Sequence, residues 1–339
     1  MRKYHFRVVV PLVLIGVVVL FLTRPKGWSK YSESRTLMGT FVTLEVCQPT
    51  IDEHQLKQVF SQVWEKLDAI EERMSVYNQK SEVSTINEAG NEPVQISTEM
   101  YHVLRSSKKF NQLTQGAFDI TVGPFIALWK DAQDADVIPT EEHIQAVQRY
   151  VGMDNIEINK DEVRKTSKQV KIVLGAIAKG YAVDVAARIL SQHRISDFHI
   201  NAGGDLFVQG FNCLRQPWRI GIRNPKNKNE NVDILHLSGQ AVTTSGDYEQ
   251  FYQIQGQQWS HIIDPRTGYP QQSIMSATVI APTAMEADAL STALTVLSSE
   301  DGVALMNTLG EGYASIVFSQ DARGKMTSFK SCKYTHYVK

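Results

Sequence analysis

Ala284–Leu297, AMEADALSTALTVL, reads as a helix that follows closely on a strand, Ile274–Ala281, IMSATVIA. Thr283 with Glu286 three residues later is a capping-box pattern, which starts the helix at Ala284. Ala287, Leu290, Leu294 and Leu297 keep the helical period and send an apolar stripe into the core. Asp288 and Thr292 stand one turn apart, so a carboxylate and a hydroxyl can converge on one hard cation, with Ser291 close by. An Asp and a Thr near a helix start also read as solvated or locally bonded residues, and the rest of the chain decides between the two.

Upstream, the regions richest in chemistry are Val242–Tyr248, VTTSGDY, and His261–Gly268, HIIDPRTG. His261 beside Asp264, Arg266 and the Ser245 loop is a candidate for proton transfer. Trp218–Ile222 is a short strand, and Phe198–Val208 is strand-like around Asn201-Ala202-Gly203-Gly204-Asp205, a sign of close backbone approach. Residues 170–174 read as a strand entering Gly175-Ala176-Ile177-Ala178-Lys179-Gly180-Tyr181, with Ala182–Leu190 helical after it. A small-residue turn opening a helix offers amides and a positive dipole end to a phosphate, and its carbonyls to a metal.

Gly116–Pro124 reads as a loop that brings Asp119 and Thr121 to a pocket edge. Asp52–Met74 carries apolar residues at helical spacing, and Thr98–Leu113 is a second helix. A third begins near Thr140, whereas Ser81–Asn87 reads as a polar segment. Thr36–Val46 is a strand interrupted at Met38-Gly39-Thr40, and Gly312–Ser319 is a terminal strand. Strand and helix signals do not alternate as in a doubly wound sheet. The expected fold class is therefore α+β, with a mostly antiparallel sheet packed against long helices.

At the N-terminus, Arg2, Lys3 and Arg7 precede an uncharged run, Val8–Leu22, which meets Arg24 and Lys26. This predicts an uncleaved signal anchor and tether over residues 1–30, with a single domain over 31–339 on the outer, periplasmic face of a bacterial inner membrane. A cleaved export signal is the alternative. The composition of the full chain, 42% hydrophobic and 21% charged with net charge −1, is that of a globular protein without the basic excess that nucleic-acid binding needs. The three cysteines, Cys47, Cys213 and Cys332, lack metal-site spacing and leave any disulfide pairing open.

Taken in order, Leu37–Thr40, Gly116–Pro124, Gly175–Asp184, Asn201–Asp205, Thr244–Tyr248, His261–Gly268 and Glu286–Thr292 resemble the motifs of the ApbE family of FAD:protein FMN transferases, over about residues 36–320. The resemblance implies a T-fold-like architecture and Mg²⁺-dependent transfer of FMN from FAD to a Thr or Ser hydroxyl of a partner protein, with release of AMP. The acceptor it implies is an exported or membrane redox subunit. It assigns Met38, Tyr77, Ala117, Phe118, Asp119, Lys179 and Ile262 to FAD, and Ala176 (through its carbonyl), Asp288, Ser291 and Thr292 to the metal. His261 and Asp247 are the candidate base or relay for the attacking hydroxyl. Two departures stand out: Ser291 occupies a position where some members carry a second Asp, and Val173 one where many carry Asp. An FAD pyrophosphatase and a flavin-binding protein without turnover are the alternative functions.

Overall fold

The computed structural model describes residues 27–49, 52–246 and 251–338. In chain order, β1 (Ser29–Leu37) and β2 (Thr40–Gln48) precede helices α1 (Glu53–Met74) and α2 (Glu82–Glu88), then β3 (Val94–Gln95). Three helices follow, α3 (Thr98–Leu113), α4 (Gly123–Ala135) and α5 (Glu141–Gln148), then β4 (Ile156–Ile158), β5 (Glu162–Lys165) and α6 (Ala178–Gln192). A run of strands comes next: β6 (Phe198–Ala202), β7 (Asp205–Gln209), β8 (Trp218–Asn224), β9 (Asn227–Leu237), β10 (Gln240–Gly246), β11 (Phe251–Ile254), β12 (Gln257–Ser260) and β13 (Ile274–Ala281). Helices α7 (Ala284–Val296) and α8 (Ser299–Thr308) and strands β14 (Ala314–Gln320) and β15 (Met326–Lys330) complete the order.

Eight strands form one sheet in the order β1-β2-β6-β7-β10-β13-β14-β15, and each neighbouring pair is antiparallel. The fold is α+β, as the absence of alternating strand and helix signals indicates. In β2, Val42, Leu44 and Val46 point to the main core under the helices, and Cys47 to a second core on the other face. Helices α1, α3, α6 and α7 fill the first layer, while the β8–β9 hairpin and the C-terminal segment through Tyr334 close the second. A satellite core of Phe125, Trp129, Ile144, Ile254 and Ile263 joins α4 and α5 to the β11–β12 hairpin.

Helix α1 follows its apolar period: Leu56, Val59, Phe60, Val63, Trp64, Leu67 and Ile70 are buried, and Asp52 caps it by accepting from the amides of His54 and Gln55. Helix α7 departs from the single stripe expected of it. Ala284, Met285, Ala287, Asp288, Ala289, Leu290, Ser291, Ala293, Leu294 and Thr295 are all buried, because its alanines let α6, β10 and β13 close around it.

Several local expectations change. Ser81–Asn87 is not an irregular polar segment: Ser81 caps α2, which buries Val83 and Ile86. Residues 170–174 form no regular strand. One bridge joins Lys171 to Val122, and Asn87 holds the Ile172 peptide from both sides, through its Nδ2 to the carbonyl and its Oδ1 to the amide. The strand expected over Thr36–Val46 is a hairpin that turns at Met38 and Gly39, both with positive φ. Phe198–Val208 is likewise two strands turning at Gly203-Gly204. Cys47 and Cys213 are joined by a disulfide, and Cys332 is free and exposed. Among the described residues no helix is long and apolar enough to cross a membrane, and the apolar run Val8–Leu22 lies outside them.

Candidate active site

The site forms where the first turns of α6 and α7 meet beside the β6–β7 turn. Gly180 makes the approach possible: a Cβ there would collide with the carbonyl oxygen of Ala284 and lie 2.7 Å from the Cα of Met285. At this contact the helices exchange carboxylates. Asp184 of α6 accepts from the amides of Ala284 and Met285 at 2.7 and 2.9 Å, and Asp288 of α7 accepts from the amide of Gly180 at 3.0 Å. Each carboxylate satisfies first-turn donors that its partner helix cannot satisfy internally.

Asp288 is 2% exposed. Burial first, and then the nearby negative charge of Asp205, hold its carboxyl well above the ordinary carboxylate range, while Lys179 and the Gly180 amide act the other way. Asp205, the first residue after the Gly203-Gly204 turn, is itself buried and ion-paired with Lys179. Asp184 is pushed up to about 6 by burial, opposed by the two amides it caps.

Hydroxyls line the next turn of α7. Ser245 on β10 lies 2.8 Å from the Ser291 hydroxyl and 3.4 Å from that of Thr292, and Ser291 also donates to the Asp288 carbonyl at 3.0 Å. Asp288, Ser291 and Thr292 are thus brought together as the helical spacing implied. The amide that an α-helix would return to the Ala176 carbonyl, that of Gly180, goes instead to Asp288. Among the described residues no three His, Cys, Asp or Glu side chains gather as a metal cage. Any cation here relies on Asp288 together with hydroxyl and carbonyl oxygens, a donor set suited to a hard ion.

The other expected site residues are spread around this centre. Met38 sits at the β1–β2 turn in the left-handed region, and its amide donates to Glu71 of α1 at 2.9 Å. Tyr77 is almost wholly exposed, at 95%. Ala117 and Phe118 are buried, and the Phe118 ring packs edge-on against Phe110. Asp119 is turned inward: it accepts from the amide and hydroxyl of Thr121 and from Asn111, while burial raises its pKa. Its side chain therefore fixes the 117–121 loop. Ile262 is half-buried and its carbonyl accepts from the Gln271 amide. His261 is half-buried beside it, and Asp264, read as its neighbour, is engaged by Arg266 in a two-pronged pair at 2.9 and 2.8 Å. Asp247 lies outside the described residues.

Sequence reasoning did not single out Asp205, Gly180, Ser245 and Asp184 as individual members of the site. Asp205 carried a signal, a carboxylate directly after two glycines in a strand-like stretch. Gly180 and Asp184 carried none, because their partners are about a hundred residues away in the chain.

This is an α+β protein whose acidic, hydroxyl-rich cluster is held between two helix N-termini at one end of an antiparallel sheet. A model of the ApbE family matches residues 38–317. The chain belongs to that family. It is 33% identical over 300 residues to an FAD:protein FMN transferase of Vibrio cholerae, covering 87% of this chain and 89% of the relative. It is 34% identical over 304 residues to one of Haemophilus influenzae, covering 85% and 87%. The solved flavin transferase ApbE from Vibrio cholerae superposes with a TM-score of 0.81 at 30% identity, over 91% of this chain and 99% of that one. The ApbE protein of Thermotoga maritima gives 0.81 at 31% identity, over 92% and 100%.

Proposed function

We propose that this chain is an FAD:protein FMN transferase that moves FMN from FAD to a Thr or Ser hydroxyl of an acceptor protein and releases AMP. The observation that carries this reading is the buried Asp288 beside a cluster of hydroxyls, the Lys179–Asp205 pair and the first turn of α6. A pyrophosphate is a ligand that such a surface recognises, through the Lys179 ammonium and a cation-binding carboxylate.

The raised pKa of Asp288 fits a resident Mg²⁺, because a dication would relieve the charge crowding that burial and Asp205 impose. Asp288, Thr292 and the Ala176 carbonyl would hold it, with Ser291 alongside; when bound, it supplies neutralisation of the pyrophosphate charge. Lys179 is placed to hold a phosphate oxygen while Asp205 orients its ammonium group. In the transfer, the acceptor oxygen forms a bond to the riboflavin-side phosphorus as the bond from that phosphorus to the bridging oxygen breaks. AMP leaves with the bridging oxygen, and the hydroxyl proton passes to His261 or to Asp247. Met38, Tyr77 and Ile262 are proposed to contact FAD.

The apolar N-terminal run supports a position at the outer face of the inner membrane, with a membrane or exported redox subunit as the proposed acceptor. The Cys47–Cys213 disulfide supports this location, since such bonds persist in oxidising compartments. The test is incubation of the protein with FAD, Mg²⁺ and a candidate acceptor, followed by mass spectrometry of the acceptor. Covalent FMN on a Thr or Ser is the expected result. AMP release at the same rate without acceptor, and no adduct, would make the protein a pyrophosphatase instead.

A further inference from the structure

The two ends of the sheet differ. At one end, Leu37 pairs with Thr40 and Val42 with Ala202, and Ala202 pairs with Asp205 of the site. At the other, Ser29 pairs with Gln48, Val46 with Phe198, and Phe198 with Gln209. Strand β1 spans the distance between them, roughly 26 Å at a strand's rise per residue. The described chain begins at Gly27, at the end remote from the site.

That remote end carries exposed apolar side chains on a braced loop. Between β7 and β8, Leu214 is 59% exposed and Phe211 38%. Arg215 lies between two rings, 4.0 Å from the centroid of Trp28 and 4.8 Å from that of Phe211. The loop is fixed from below: Asp197 accepts from the Phe211 amide and from Arg215, and Cys213 is bonded to Cys47. Leu214 therefore stands out on a rigid platform, where folding alone gives no reason for it to be apolar. Aromatic rings, a leucine and arginine stems are the composition of side chains that settle at the boundary between lipid and water. Arg194 is also exposed, in the turn before β6, and complements anionic headgroups.

The chain outside the described residues says what covers this patch. The apolar run ends at Leu22, five residues before Gly27, so a fully extended tether reaches only about 17 Å. We infer that Trp28, Phe211 and Leu214 form a lipid-facing patch that seats the domain on the bilayer with its active site turned away from the surface. The inference rests on the proposed membrane anchor. Its consequence for function is that the acceptor hydroxyl must be offered well above the headgroups, by a partner or segment that projects from the membrane.

The test uses the full chain in phosphatidylcholine and phosphatidylglycerol vesicles with and without brominated lipid, which quenches nearby tryptophan. Flotation with the vesicles reports the anchor, and the emission added by Leu214→Trp reports the patch. Leu214→Trp should lose most of its added emission to brominated lipid, whereas Phe41→Trp, at the site end, should lose none. Flotation with unquenched Leu214→Trp overturns the patch while leaving the anchor and the transfer reaction standing. A blue-shifted but unquenched signal would assign the patch to a second copy or another protein, and failure to float overturns anchor and patch together.

Discussion

Gly180→Ala is the most searching change to the helix contact, because local and tertiary effects oppose each other. In an isolated helix the substitution stabilises by about 1 kcal/mol, since alanine is the better helix former. Here the new Cβ meets backbone on every near side: the Ala284 carbonyl oxygen, with the Ala284 carbonyl carbon and Met285 Cα each at 2.7 Å. Carbon atoms pack at about 3.5–4.0 Å, so α6 and α7 must separate by roughly 1 Å. Overpacking of this kind costs about 1–3 kcal/mol. Separation also stretches the bond from the Gly180 amide to Asp288, and a hydrogen bond to a charged group contributes about 1.5–3 kcal/mol. The expected balance is a net loss of about 2–4 kcal/mol, read as a lower midpoint in urea at unchanged slope. FMN transfer should fall further than stability explains, and a higher Mg²⁺ concentration should restore part of it, because Asp288 is displaced rather than removed. Comparing Arg188→Ala with Arg188→Gly, at an exposed position of the same helix, gives the propensity effect alone. A Gly180→Ala protein about 1 kcal/mol more stable than the parent, with full activity, would refute the tight contact.

Asp288→Asn should abolish transfer yet unfold at no lower temperature than the parent in EDTA, since it removes a charge that burial disfavours; Mg²⁺ should raise the melting temperature of the parent alone. Asp184 titrates near 6 in the fold against 3.8 when unfolded, so the folded state holds its proton longer and the stability it contributes falls as pH rises from about 4 to 6. Urea titrations across that window should show a flatter pH slope for Asp184→Asn than for the parent. Cys47→Ser opens a cross-link between residues 166 apart and should cost about 2–5 kcal/mol, with active protein still recovered at low temperature; unchanged stability would mean that the bond does not form.

Local periodicity made α1 and α3 legible, because each buries a face that recurs along its own sequence, whereas β13 was legible as a short apolar run and is buried at nearly every position. The same reasoning misjudged α2, whose seven residues are too few for a period to emerge and whose start depends on the single Ser81 cap. It also misjudged 170–174, where the pattern resembles a strand but Asn87 supplies the hydrogen bonds that a neighbouring strand would have given. The site divides in the same way. Asp288 and Thr292 were legible as one turn of a helix, whereas the pairing of Lys179 with Asp205 and of Cys47 with Cys213 depends on which strands become neighbours. That distinction bears on how the site works. Asp288 is oriented from outside its own helix, by the Gly180 amide on Oδ2, and α7 is held in turn by Asp184 from α6. With one oxygen fixed by an amide, the other has a set direction, so the geometry of the cation binding proposed for this site would be set by the packing of two helices.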